Sequence, residues 1–320
     1  MAANQQTLDE LLSDLPKNWG RWGAEDEIGC LNFLTSEAVL RGLQEVQDGK
    51  VFTLGLPMGS PSGDPVWPGR AQATRLMTQD RSHYVNGRKQ AMPGGLEYAD
   101  DYITAFLQGS SQYDALGHTW YGDQIYNGFS ADTTVGGMER CGVDKLAKKG
   151  VVGRGVLVDM ARHRGKKALE SGETFGLEDL LAAAESQGVT IEPHDNLVIR
   201  TGWLTIYYDE GPEAFFGESF VEPGLTFSPE LVRWFHETEI VSLSTDTIAN
   251  ETTVDKESGI ALPLHAALMR NLGVLFSEIL WLEDLAEDCA EDGRWSFLYA
   301  AAPIHIVEGT GAPVNPVVLK

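Results

Sequence analysis

PLHAALMRNLGVLFSEILW, residues 263–281, reads as a helix followed directly by a buried strand. Proline suits the first turn of a helix, where its missing N–H would have had no intrahelical partner. LHAALMRNLG continues the helix and Gly273 closes it, glycine being the residue that most easily adopts the left-handed conformation of a helix end. VLFSEILW (274–281) is an apolar run of strand length with one acid, Glu278, inside it. A carboxylate in such a run needs a partner or a function, because burying it alone is costly. The plain structural reading is an ion pair with an arginine. His265 stands one turn into the helix.

Outward from this stretch the same alternation recurs. GRGVLVDM (153–160), NLVIRTGW (196–203) and EIVSLSTD (239–246) read as buried strands, and Leu177–Gln187 as a helix with Leu180, Leu181 and Ala184 inward. VFTLGLPM (51–58), DYITAFLQ (101–108) and WSFLYAAAPIHI (295–306) add strands. Residues 7–15, 37–47 (capped by Ser36) and the acidic LEDLAEDCAEDG add helices. Residues 59–70 and 79–98 are rich in glycine and polar residues and read as loop or irregular strand. Strands outnumber helices in mixed order, which predicts an α/β domain with a mixed β core. No linker divides the chain, so residues 1–50 read as a helical extension and 51–320 as a single domain.

The chain has 320 residues, 47 acidic and 24 basic, for a formal charge of -23. That surface repels nucleic-acid backbones and anionic membranes. Cys30, Cys141 and Cys289 are odd in number and widely spaced, against a disulfide framework or a zinc knuckle. The first residues lack the basic and apolar regions of a signal peptide, and no apolar run approaches a membrane span. A cytoplasmic protein acting on a small molecule is the expectation.

QGSSQYDALGH (108–118) concentrates polar groups. On a strand, Gln108, Ser110, Gln112 and Asp114 point to one side. Four polar groups on one face line water, a ligand or a metal, since an apolar core would leave them unsatisfied. The turn after Asp114 brings round His118. Asp246, at the end of a strand, is a further acid with no evident partner.

These residues carry a resemblance. The signature H-x-G-T-H-x-D-x-P-x-H of the cyclase family, which includes kynurenine formamidase, isatin hydrolase and trans-dienelactone hydrolase, falls on Gln108, Ser110, Ser111, Gln112, Asp114, Leu116 and His118. WGRWGAEDEIGCLNFLT (19–35), QYDALGHTWYGDQIYNG (112–128), GVVGRGVLVDM (150–160), LVIRTGW (197–203), LPLHAALMRNLGVLFSEILWLEDLAED (262–288) and GTGAPVNPVV (309–318) resemble the longer members in the same order. The resemblance implies a swivelling β/β/α fold, a homo-oligomer (dimer or tetramer), and a Zn²⁺ or Mn²⁺ centre. It places metal ligands at Asp114, His265 and Glu278 and a proton-transfer role at His118. Both metal histidines of the signature are glutamine here. An amide oxygen is a harder, weaker ligand for zinc than an imidazole nitrogen. The expected set is therefore Asp114, His118, His265 and Glu278, with Gln112 as an outer or weak ligand and Asp246 as a second candidate for proton transfer.

The function this implies is a metal-dependent hydrolase of the amidohydrolase or lactonase type, opening a lactone, cyclic amide or formamide with metal-activated water. The alternatives are a metal-assisted lyase, dehydratase or cyclase on a polyketide-like molecule, or an inactive binding homologue. Gln108, Trp120, Tyr121 and Tyr126 are the candidates for substrate contact, with core packing as the plain alternative for the aromatics. The 59–100 and 208–226 segments are expected to shape the pocket.

Overall fold

The computed structural model describes residues 6–61, 63–218 and 220–320. Its centre is a nine-stranded mixed sheet. Four parallel strands, Val151–Asp159, Asn196–Arg200, Ser242–Thr245 and Leu275–Glu278, lie side by side in chain order. Parallel strands need crossovers that cover both faces, so they read as continuous apolar runs; Leu197, Val198 and Ile199 are fully buried. On one flank Ser296–Ala301, Val317–Leu319 and Val51–Thr53 extend the sheet antiparallel. On the other, Gln112–Asp114 pairs antiparallel with Leu275–Glu278, and Gly311–Pro313 pairs with its free edge. This is the α/β architecture with a mixed β core that the alternating pattern predicts.

The 263–281 stretch folds as read, with one difference. Pro263 and Leu264 open the helix, but His265–Leu272 is wound as a π-helix and closes at Gly273 in the left-handed conformation. Leu275–Glu278 is the strand. The helix Leu177–Gln187 has the predicted bounds and ends at left-handed Gly188. The 37–47 helix runs over Ser36–Leu43, with the Thr35 side chain rather than Ser36 capping it. Helices Trp203–Asp209, Pro212–Phe216 and Pro229–Thr238 have no counterpart in the sequence reading.

Residues 101–108 are not one strand leading into the motif. Asp100–Thr104 pairs with Thr74–Gln79 in a separate, exposed hairpin, and a turn follows before the main sheet takes up Gln112–Asp114. Strand alternation therefore extends over three residues of the motif rather than seven.

The N-terminal segment braces the helix that carries His265. Its first five residues lie outside the described ones, but Leu12, Leu15, Leu31 and Leu34 bury in the same core as the sheet. Asn18 donates its backbone N–H to the Asn271 carbonyl, and Cys30 donates its own to Gly273 (3.0 and 2.8 Å). A Cβ on Gly273 would come within 2.8 Å of the Gly29 Cα, so the two backbones meet where side chains would not fit.

Candidate metal centre

Three elements converge at the end of the sheet. Gln112–Asp114 and Leu275–Glu278 are neighbours, with Gln112 opposite Glu278. The π-helix starts at His265. Asp114, His265 and Glu278 are all buried, and each offers a donor atom within 4.8 Å of the others. His265 Nε2 lies 3.5 Å from Glu278 Oε1 and 4.0 Å from Asp114 Oδ2.

The imidazole is oriented by Glu251, a residue the sequence reading missed. Glu251 Oε1 accepts the His265 backbone N–H and sits against Nδ1, both at 2.7 Å, while Oε2 accepts the Leu264 N–H at 2.7 Å. One fully buried carboxylate thus caps the helix start and leaves Nε2 facing the other two acids. Burial pushes the His265 pKa down, but Glu251 and Glu278 outweigh it and raise it to about 10. Burial, with repulsion from Asp114, pushes Glu278 up to about 7. The only signal in the sequence was an acid in the otherwise uncharged run TIANETTV (247–254).

A divalent cation fits these residues. Three carboxylates face one imidazole in a buried space, an excess of negative charge that a cation would balance. Asp114 Oδ1, Gln112 Oε1 and Asn250 Oδ1 are buried without hydrogen-bond partners, and buried oxygens are otherwise almost always paired. Gln112 donates its amide to Glu278 Oε2 (2.6 Å), and Asn250 donates to Oε1 (3.5 Å). One nitrogen with carboxylate and amide oxygens is a donor set of intermediate hardness.

His118 is not gathered into this trio. The turn after Asp114, closed by His118 N–H to the Ala115 carbonyl (2.8 Å), aims its Nδ1 at the Gln108 amide, 3.5 Å away. Burial lowers the His118 pKa, against the attraction of Asp114. Gln108 also donates to Thr310 Oγ1 at 3.1 Å.

Two expectations are corrected by bonding. Asp246 accepts from Thr201 N, Thr201 Oγ1 and Gly202 N (2.6–3.1 Å), so its carboxylate holds the turn after Asn196–Arg200 instead of serving as a free base. Burial raises its pKa to about 6. The three aromatics named for substrate contact, Trp120, Tyr121 and Tyr126, are dispersed in three different environments. Tyr126 is a core residue donating its hydroxyl to Asp26 at 2.7 Å. Tyr121 lies 3.8 Å under the Arg270 guanidinium, and Trp120 is 46% exposed.

An open cleft of about 430 Å³ is lined instead by Trp67, Arg70, Phe216 and Phe220, from the 59–100 and 208–226 segments. Ser62 and Ser219 of these segments lie outside the described residues. Arg70 joins cleft and cluster: its guanidinium donates to the Gln108 carbonyl at 3.0 Å and acts by charge on both His118 and Glu278.

Residues 52–252 match the family model described as "Putative cyclase". The chain belongs to the cyclase family. A solved structure described as a novel cyclase is 38% identical, covers 95% of this chain and 100% of its own, and superposes with a TM-score of 0.86. Isatin hydrolase A from Ralstonia solanacearum is 18% identical over 89% of this chain and 97% of its own, TM-score 0.62. An isatin hydrolase bound to the product analogue thioisatinate is 17% identical over 90% and 99%, TM-score 0.60. At that identity the likeness is one of fold. A search of curated proteins gives no match. Among the described residues, no helix is long and apolar enough to cross a membrane.

Proposed function

We propose that this cyclase-family chain is a metal-dependent hydrolase that opens a lactone, cyclic amide or formamide. The observation that carries the reading is the buried Asp114–His265–Glu278 trio, with unpartnered oxygens directed into a fold shared with isatin hydrolases. Asp114, His265 and Glu278 would hold the ion, with Gln112 Oε1 as a further oxygen donor, and the set suits Zn²⁺ or Mn²⁺. A bound ion of this kind polarises a carbonyl and lowers the pKa of water towards neutrality.

The protein's own groups do the rest. Glu251 fixes the His265 ring so that Nε2 faces the centre. Gln112 and Asn250 hold the Glu278 carboxylate through both oxygens. His118, its pKa lowered by burial, is a neutral imidazole at neutral pH. It can take a proton and return it to a leaving nitrogen or oxygen. Gln108 sets the orientation of that ring from its Nδ1 side.

Dialysis against chelator, metal analysis, and assays of lactone, cyclic-amide and formamide opening test this together. The expected result is activity that disappears with the ion and returns on adding Zn²⁺ or Mn²⁺, and that Asp114→Asn abolishes. Full activity in metal-free protein would end the proposal. Product formed without uptake of oxygen-18 from labelled water would replace hydrolysis by elimination or cyclisation at the same site.

A further inference from the structure

The hairpin of Thr74–Gln79 and Asp100–Thr104 is bare on both faces: every residue of the two strands except Gln79 is exposed. Leu76 stands opposite Tyr102 on one face, and Arg75 opposite Ile103 and Met77 opposite Asp101 on the other. The two strands form a sheet of their own, so each also keeps a free edge. A two-stranded ribbon is marginally stable at best when it stands alone in water. Native proteins cover such edges or blunt them. Residues 74–106 also hold nine of the nineteen exposed large hydrophobic side chains found among the described residues, Leu76, Met77, Tyr98, Tyr102, Ile103 and Phe106 among them. Soluble monomers scatter such residues singly, and their concentration in one arm marks an interaction surface.

Charge and size say what covers it. The arm is balanced, with Arg75, Arg81, Arg88 and Lys89 against Asp80, Glu97, Asp100 and Asp101, so the rest of the chain carries the whole net charge of -23. Two copies of this chain repel one another over that remainder but not over the arm. A basic partner would be drawn to the acidic remainder instead. Within the arm Arg75 pairs with Asp101 and Arg81 with Glu97, while Arg88 and Lys89 are in no ion pair among the described residues and suit the acid-rich surface of a second copy. The 33 residues of 74–106 are enough for one side of a standard interface, roughly 20–30 residues.

We infer that the 74–106 arm is an interface with a second copy of this chain, which covers Leu76 and Tyr102 on one face and Met77 and Ile103 on the other. The contact reaches the site as well. Thr104, Phe106 and Gln108, at the base of the arm, line one recess with Thr310, and Gln108 faces His118. A seated arm therefore steadies the residue that sets the orientation of that ring. The inference stands on the arm alone and holds whatever reaction the metal trio serves.

Sedimentation velocity on the full-length protein, over a concentration series, reads the association. Wild type should be oligomeric at micromolar concentration. Leu76→Glu combined with Ile103→Glu places an unpaired charge on each face of the arm and should raise the dissociation constant roughly a hundredfold or more. Leu181→Glu, at an exposed position on the Leu177–Gln187 helix, should leave it unchanged. Near-UV circular dichroism matching wild type shows that the double variant is folded. Hydrogen exchange of the wild type gives a second reading that needs no substitution: backbone amides of 74–79 and 100–104 should be protected in the oligomer. A wild type that is monomeric throughout, an oligomer that withstands both charges or that Leu181→Glu dissociates instead, or arm amides that exchange without protection in the oligomer, overturns the inference.

Discussion

Replacing Glu251 by glutamine tests the link between helix start and metal centre. The substitution keeps the shape and removes the charge. Glu251 receives the Leu264 N–H, the His265 N–H and His265 Nδ1, each at 2.7 Å and all buried. If the glutamine oxygen stays with His265, its NH₂ meets the Leu264 N–H, and two donors face each other. An orphaned buried donor costs roughly 1–3 kcal/mol, and losing charge assistance on the two His265 bonds costs about 1 kcal/mol more. A loss of about 3 kcal/mol is expected in urea unfolding of the chelated protein. A neutral partner also makes His265 a poorer ligand, so affinity for Zn²⁺, read by competition with a chromophoric chelator, should fall by roughly 10–100-fold. A variant within 0.5 kcal/mol of wild type that binds Zn²⁺ with unchanged affinity would refute the assignment.

Other expectations follow from the same structure. Saturating metal at about a hundred times its Kd should stabilise the protein by about 2.7 kcal/mol, so scanning calorimetry should show chelator lowering Tm by several degrees. Gly311→Ala would put a Cβ 2.6 Å from Gln108 Nε2 and 2.9 Å from the Tyr113 carbonyl. It should cost about 1–3 kcal/mol in chemical denaturation and reduce activity by displacing Gln108. Burial disfavours ionised Glu173, but the Glu170 N–H, Lys166 and Arg164 outweigh it and lower its pKa from 4.5 to about 2. A depressed carboxyl pKa stabilises the fold above pH 4.5, and this is lost as pH falls towards 2. Wild type should therefore exceed Glu173→Gln by about 2 kcal/mol at neutral pH and converge with it in acid, as read by denaturation at each pH.

The parallel strands were legible because burial on both faces makes them uniformly apolar, as in NLVIR and LFSE. Glu278 was legible for the same reason, as the one charge in such a run. The flank strands Gly311–Pro313 and Val317–Leu319 were not read as strands: they are three residues each, and their pairing is decided by partners far away in sequence. The motif strand was overextended because DYITAFLQ has the composition of a strand and is one in part, but in a different sheet. In the site, local pattern marks Asp114 and Glu278 only as acids in need of partners, and it was the resemblance that joined them with His265 as one ligand set; Asp246 looked free because its bonds to Thr201 and Gly202 come from a neighbouring strand's turn. Glu251 carries only a faint local mark, one acid in the uncharged run TIANETTV, and its role comes from what stands opposite it, His265.

The sheet's connectivity has a consequence for biosynthesis. Gln112–Asp114 emerges from the ribosome long before either strand that flanks it, Leu275–Glu278 or Gly311–Pro313. Its loop-closure entropy is met only when those two partners arrive. A nascent chain halted before residue 275 would lack Glu278 and both strands that hold Asp114 in the sheet, so the three buried donors could not yet be brought together and metal capture waits for that stretch.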